Sequence, residues 1–522
     1  MRGSGMLWRA LEAARRSNLA AAGEMAPTPG NHAVTRRALL KAIAAAGAIS
    51  ALPRPARADT GGTVAIIGGG IAGLAALHYL NQAGVEAHLY EARSRIGGRM
   101  FTQRPATGPA FEVGGQLVNT DHLDMHALAK YFGVGLVDRK AETHRTLILA
   151  DGRPLQEAEL SEAMRGIAAQ IGRDADRLDK NYAKVAPELD RLSIKAYLDK
   201  HARLIREPWA RRLLEGTSRT EYGVEPEHAS AIELIFNLPT VDGERFEVLG
   251  ESDERFVIEG GSSALVEAIA GAYRNQISCE RRLARISPDK GRLRLDFADG
   301  SSASADKVIV AVPAPITRQI DFRAALPPVW RAFIATMDLG RNEKVQAAAS
   351  EAKWRTPMGI GGELWQTDPA GYALGWDGTV HLVDRAQPHP VWTWFLGGKE
   401  VDDSGLSPRE QAHGFAVTSE PAIPGMVAAT DQGPWRRTAW HADPLTLGAY
   451  CNYAPGQLTR FAHLLCVESK DPKEHQVSRA GHLYFAGEHL SDAYPGYMNG
   501  GAQTGRMAVE AITGRRLLAQ AA

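Results

Sequence analysis

Thr63-Val64-Ala65-Ile66-Ile67-Gly68-Gly69-Gly70-Ile71-Ala72-Gly73 decides the reading of this chain. The first five residues form an apolar run rich in β-branched side chains, the pattern of a strand buried on both faces. The run enters a G-x-G-x-x-G, and Leu74, Leu77 and Leu80 then keep helical spacing. A second strand is expected over Val85–Tyr90, ending at Glu91. Each part has a mechanical reason. Gly68 makes the tight turn, Gly70 admits backbone to a pyrophosphate, and Gly73 lets the helix pack closely on the strand. The helix start around Ala72 offers unpaired N–H groups and a positive dipole end to phosphates. Glu91 stands where an acid accepts hydrogen bonds from ribose hydroxyls. This is a dinucleotide site, and the motif by itself does not choose between NAD and FAD.

The rest of the composition narrows the class. The 522 residues carry 60 Lys+Arg and 60 Asp+Glu, with 44% hydrophobic and 23% charged side chains, an ordinary globular balance. A net charge of zero gives no blanket attraction to nucleic acid or to an anionic membrane. The sum hides two parts. Residues 1–58 hold nine Lys+Arg and two Asp+Glu, a surplus of seven positive charges, so the remainder is net −7. Three cysteines (Cys279, Cys451, Cys466) allow at most one disulfide, and no Cys/His spacing suggests a metal site. Within the basic leader, Thr35-Arg36-Arg37-Ala38-Leu39-Leu40-Lys41 precedes the apolar stretch Ala42–Leu52 and then Ala56-Arg57-Ala58. That order reads as a signal peptide too short to span a bilayer, and its arginine pair resembles the twin-arginine export signal of bacteria. It implies a folded protein delivered to the periplasm by the twin-arginine machinery, with Met1, Met6 or Met25 as start.

After Glu91 come Arg93, Arg95, Gly97, Gly98 and Arg99, then Phe111-Glu112-Val113-Gly114-Gly115-Gln116. This succession resembles the FAD-binding opening of the flavin-dependent amine oxidases. Paired arginines and further glycine pairs suit a second backbone approach to a doubly charged pyrophosphate. Further along, Phe256–Val266 has the pattern of a strand, a glycine turn and a helix start, and Ile277–Leu283 resembles the family's adenine-contacting strand, with Leu283 at the contact. Arg292–Phe297, the Asp299-Gly300 turn and Ala305–Val312 read as a hairpin followed by a core strand. Leu483–Glu488 and Gly496–Ala502, with Met498, match the closing strand, loop and helix beside the flavin.

The resemblance implies an α/β fold like monoamine oxidase. A Rossmann-like FAD-binding domain would be assembled from residues 59–115, 255–315 and 441–522. An α+β substrate-binding domain would take residues 116–254, mainly helical, and 316–440, with strands near Lys344–Ala349 and Val391–Phe395. Met164, Ile167 and Ile171 at helical spacing support an amphipathic helix there. The resemblance also implies site residues. Lys344 takes the position of a lysine that holds water near flavin N5. Tyr450 and Tyr497 match a two-ring cage for the amine, and Trp440 a tryptophan lining the flavin site. A cysteine that tethers FAD in some members is replaced by Ala449, so FAD is expected to be non-covalent, with tethering through Cys451 the alternative.

The implied activity is oxidation of a primary or secondary amine to an imine, hydrolysed to an aldehyde or ketone. The acceptor is dioxygen, giving hydrogen peroxide, or an electron carrier. An L-amino-acid oxidase is the alternative, weakened because no arginine follows Gly114-Gly115 in Gln116-Leu117-Val118-Asn119. A porphyrin- or carotenoid-type desaturase would not need the tyrosine pair, and an inactive FAD-binding protein would not keep Lys344 with both rings. The sequence does not name the amine, and it leaves the oligomeric state open, a homodimer included.

Overall fold

In the computed structural model the described residues are 62–141, 146–242, 245–249, 252–355, 363–383, 388–402, 404–470 and 474–517. The leader with its arginine pair lies outside them. Val64–Ile67 is the centre of a six-stranded sheet, flanked in parallel by Ala87–Tyr90 and Lys307–Val310. Ile277–Ser278 extends one side; Leu483–Phe485 and then Arg479–Ala480 extend the other, and only the last strand is antiparallel. Strands from both ends of the chain therefore meet in one layer. The helix Ile71–Gln82 packs on the C-terminal helix Met498–Thr513, and Gly505 makes the approach possible, since a Cβ there would lie 2.2 Å from the Ala72 carbonyl oxygen.

A seven-stranded sheet forms the second half, in the order Trp435–Arg437, Asn342–Ala348, Val391–Gly397, Leu374–Asp377, Glu363–Gln366, Thr146–Ala150, Arg153–Pro154. Helices Glu157–Lys180, Tyr182–Asp190, Ile194–Lys200, Pro208–Tyr222 and Ala231–Asn237 cluster beside it. Met164, Ile167 and Ile171 are fully buried on the first of these.

Several local expectations are corrected. Residues 116–254 are mainly helical, but they also hold a strand that the pattern did not mark: Thr146–Ala150, paired in parallel with Glu363–Gln366 more than 200 residues away. Its apolar run is too short to be told from a buried helical turn by pattern alone. Ala305–Val312 divides at Asp306. Ser302–Ala305 is the return arm of the hairpin to Arg292–Phe297, and Lys307–Val310 is the core strand. The Asp306 carboxylate accepts from the Thr63 N–H at 2.7 Å, which pins the break to the start of the central strand. Ile277–Leu283 also divides, because Glu280 has φ +59° and ends the strand at Ser278. The helix Leu123–Phe132 packs against Met498–Thr513 and Ser262–Ala272, on the side of the six-stranded sheet.

Candidate active site

Between the two sheets lies a cavity of about 2080 Å³. That is roughly twice the upper end of an ordinary small-molecule pocket, about 1,000 Å³. It has room for a dinucleotide and a substrate together. Lys344, Trp440, Tyr450 and Tyr497 line it, and so do all the candidate cofactor residues except Gly73: Gly68, Gly70, Ala72, Glu91, Arg93, Gly98, Arg99, Gly115, Gln116, Leu283, Glu488 and Met498. Gly73 sits beneath the turn instead, where a Cβ would stand 2.0 Å from the Gly68 carbonyl oxygen.

At the nucleotide end, one Glu91 carboxylate oxygen accepts from the Gly69 N–H at 2.6 Å and the other from the Arg93 N–H at 2.8 Å. The acid thus fixes the glycine loop, and a carboxylate keeps lone pairs for ribose hydroxyls. Gly70, with φ −76° and ψ 179°, caps the helix without hindrance, and a Cβ there would meet no atom within 4 Å. The space it leaves is cavity, as a bound pyrophosphate requires. These residues fit FAD.

The arginines are less free than their spacing suggested. Arg93 forks onto both Asp443 oxygens at 3.0 and 2.7 Å and also donates to the Thr446 hydroxyl. Arg99 donates to Glu488 at 2.9 Å. Burial pushes Glu488 up, yet Arg99, His489 and the Cys451 hydrogen bond together outweigh it and hold the carboxyl below its usual range. Its other oxygen accepts from the Gly496 N–H at 2.9 Å, just before Tyr497. One ion pair therefore joins the cofactor loop to the cage. His489 is buried and pushed down to about 4 by that burial, so it is a neutral imidazole at physiological pH.

Lys344 is the only residue on the buried strand Asn342–Ala348 with a cationic side chain. Its Nζ donates to the carbonyls of Glu112 at 3.0 Å and Gly114 at 2.7 Å and lies 5.4 Å from the Trp376 ring. Trp440 Nε1 donates to the Val113 carbonyl, between those two, at 2.8 Å. Three successive carbonyls ahead of Gly115 are thereby held by Lys344 and Trp440. Burial lowers Lys344 to about 8, with Glu112 opposing.

Tyr450 Oη donates to the Thr220 carbonyl, and Tyr497 Oη to Ser252 Oγ at 3.1 Å. Gly496 lets the Tyr450 ring lie against the loop bearing Tyr497, since a Cβ there would be 2.9 Å from Tyr450 Cδ2. Both hydroxyls are raised well above the ordinary tyrosine range by burial and by nearby acids, Glu221 first, so both rings are neutral and electron-rich. Ala449 lines the cavity, whereas Cys451 is buried in the core and does not line it. None of the three cysteines forms a disulfide. Among the described residues no three His, Cys, Asp or Glu side chains gather to hold a metal.

Sequence reading missed Trp376, whose Nε1 donates to Gln116 Oε1 at 3.1 Å, and the cavity-lining acids Asp121, Glu221 and Glu254. No local pattern marks them: Asp121 follows Gly115 by six residues without a motif of its own, and Trp376, Glu221 and Glu254 arrive from segments remote from the glycine motifs.

The fold and cavity define a dinucleotide-binding protein with two tyrosines on the cavity wall. The profile of the flavin containing amine oxidoreductase family matches residues 71–513, and the chain belongs to that family. It is an FAD-dependent amine oxidoreductase. It is 24% identical to a pseudooxynicotine dehydrogenase of Pseudomonas sp over 84% of this chain and 84% of that one. Among solved structures it is similar to cyclohexylamine oxidase from Brevibacterium oxydans IH-35A, with TM-score 0.71, 24% identity and coverage of 87% of this chain and 99% of that one. It is also similar to putrescine oxidase bound to putrescine, with TM-score 0.73, 19% identity and the same coverage.

Proposed function

We propose that the amine is oxidised between Tyr450 and Tyr497, at the end of the cavity that also holds Lys344. The observation that carries this reading is the lining of one cavity by the glycine cradle, the buried lysine and both rings. When bound, FAD supplies the acceptor for a hydride from the carbon bearing nitrogen, and the resulting imine is hydrolysed to an aldehyde or ketone. The chain's own residues do the rest. The two ring faces hold the nitrogen and aim its C–H bond. Lys344 has two N–H groups committed to carbonyls and a third available toward the cavity as an ammonium donor. Aromatic walls lower the local polarity and so favour the neutral amine, whose lone pair the oxidation needs.

The acceptor for the electrons is dioxygen or an electron carrier. Mixing amines with the oxidised enzyme without oxygen, then admitting oxygen, separates the two: bleaching by an amine is expected, and recolouring with peroxide identifies dioxygen. If no primary or secondary amine bleaches the flavin, the reading fails. Replacing either tyrosine by leucine should lower kcat/KM by roughly 2- to 12-fold, the range of an aromatic contact of about 0.5–1.5 kcal/mol. Phenylalanine should cost less, because it loses only the anchor to Thr220 or Ser252.

FAD is held without a covalent bond in this reading, supported by Ala449 at the cavity wall and Cys451 behind it. Acid precipitation should leave all the flavin in the supernatant; yellow pellet protein would contradict it. The periplasmic address rests on the Thr35–Lys41 motif alone. Replacing Arg36 and Arg37 by lysine should retain the protein in the cytoplasm, and unchanged fractionation would remove that assignment.

A further inference from the structure

Lys344 is buried, and among the described residues no carboxylate pairs with it. Its hydrogen bonds go to neutral carbonyls, those of Glu112 and Gly114. The Glu112 carboxylate is engaged elsewhere: it accepts from the hydroxyls of Thr102 and Ser262 at 2.8 Å and from the Ser262 N–H at 2.7 Å. A buried ammonium without an ion pair is costly, so its charge needs another support.

The sheet register brings one. Lys344 stands opposite Phe395, and Phe395 stands opposite Leu374, so these three share one face of the sheet. Trp376 comes two residues after Leu374 and returns to the same face. All four line the cavity. Lys344 Nζ lies over the Trp376 ring, 5.4 Å from its centroid. That is inside the reach of a cation–π contact, about 6 Å, and tryptophan offers the best face for one. The ring is held at two edges. Its Nε1 donates to Gln116 Oε1 at 3.1 Å, and Phe395 meets it edge-on with centroids 5.1 Å apart.

The other charged groups nearby are turned away or paired. Arg436, on the edge strand, faces the same side but lies exposed over the Phe111 ring. Glu363 stands opposite Trp376. Glu343 and Asp377 take the other face, where they bind His441 and Arg355. The helix Pro408–Ser419 packs on that other face too, with Arg409, Glu410 and His413 exposed. The helix Pro208–Tyr222 brings Arg219, paired with Glu225, and Glu221, which lines the cavity. Of all the charged groups, only Glu112 acts on Lys344; it favours the ammonium while burial opposes it.

We propose that Trp376 is a positioning residue for Lys344: its ring face supports the ammonium, and its bond to Gln116 keeps the ring in that place. The inference rests on the reading of Lys344 as an ammonium donor at the amine site.

The test follows the lysine's charge in the holoenzyme by two routes. The rate of flavin reduction by one saturating amine without oxygen falls at alkaline pH, and Lys344→Met identifies the part of that fall due to the lysine. The melting temperature reports the same titration with no amine present, since stability rises with pH where the folded lysine has lost its proton and the unfolded one has not. In Trp376→Leu both changes should begin roughly 0.4 to 1.5 pH units below wild type. Trp376→Phe keeps a ring and loses the N–H, and it should shift less. Tetrafluorotryptophan incorporated at position 376 keeps the shape and the N–H but withdraws electrons from the face. It should shift the titration downward as leucine does, and it decides the matter if the leucine variant does not fold. An unmoved titration in the fluorinated protein, or a shift in Trp376→Phe as large as in Trp376→Leu, overturns the proposal. If no amine bleaches the flavin, the amine reading fails on its own, and the melting curves still show whether the ring supports the charge.

Discussion

Lys344→Met should slow flavin reduction by amine by roughly 100-fold or more, the scale seen when one preorganised donor is taken from a catalytic site. Methionine keeps most of the volume, so the loss is of donors, not of packing. Two carbonyls, of Glu112 and Gly114, lose their partner in the interior. Each unpaired buried group costs about 1–3 kcal/mol, partly offset because the variant no longer buries a charge. The melting temperature should fall, with FAD still retained. The pH behaviour separates this lysine from a merely structural one. Its folded value of about 8 lies below the ordinary lysine range. Above that pH the neutral amine still has two N–H groups for the two carbonyls but no third for the cavity. Wild-type turnover should therefore fall as pH rises through about 8. Stability should move the other way: between about 8 and the ordinary lysine value of about 10.4, the unfolded chain binds more protons than the folded one, so stability rises with pH. Lys344→Met should lose both trends. A variant that turns over like wild type would remove Lys344 from the chemistry.

The nucleotide half of this molecule was legible because its information is local. Strand, glycine turn, helix and acid follow one another within about thirty residues, and each residue type answers a backbone need at its own position. The later FAD segments and the tyrosines became legible through resemblance to a family, not through periodicity, since a lone Tyr450 or Tyr497 reads as core. What stayed hidden was pairing. Thr146–Ala150 is an ordinary apolar run until Glu363–Gln366 lies beside it. Arg93 reads as a phosphate ligand until Asp443, 350 residues on, occupies its fork. Glu221 and Glu254 are unremarkable acids in sequence. The fold alone brings them to one cavity wall, on segments to which Tyr450 and Tyr497 are tied. A sequence pattern specifies an element and its buried face; it does not name the partner that the face or the charge will meet.

The two roles within the glycine turn should separate cleanly under single substitution, since Gly70 and Gly73 differ in what a methyl group would strike. At Gly73 it would lie 2.0 Å from the Gly68 carbonyl oxygen and 3.2 Å from Ile66 Cγ2. Backbone cannot yield as a side chain can, so the helix Ile71–Gln82 must lift from the central strand. Gly73→Ala should cost at least the upper end of the usual overpacking range of about 1–3 kcal/mol, and the protein should melt earlier with or without FAD. At Gly70 the methyl meets nothing, and φ −76° with ψ 179° suits alanine. Gly70→Ala apoprotein should melt at or slightly above wild type, because alanine lowers the entropy of the unfolded chain by about 0.4–1 kcal/mol in free-energy terms. The methyl nevertheless enters the space where the pyrophosphate approaches the helix N-terminus. FAD affinity should fall roughly 100-fold, and at FAD concentrations that saturate wild type the added stability should shrink by about 2.7 kcal/mol. Apoprotein stability should thus rank Gly70→Ala at or above wild type and Gly73→Ala lowest, while the thermal shift on adding FAD should be smaller in Gly70→Ala than in wild type. Normal flavin affinity in Gly70→Ala would mean that the pyrophosphate lies elsewhere in the cavity, and the assignment of the glycine cradle would fall with it.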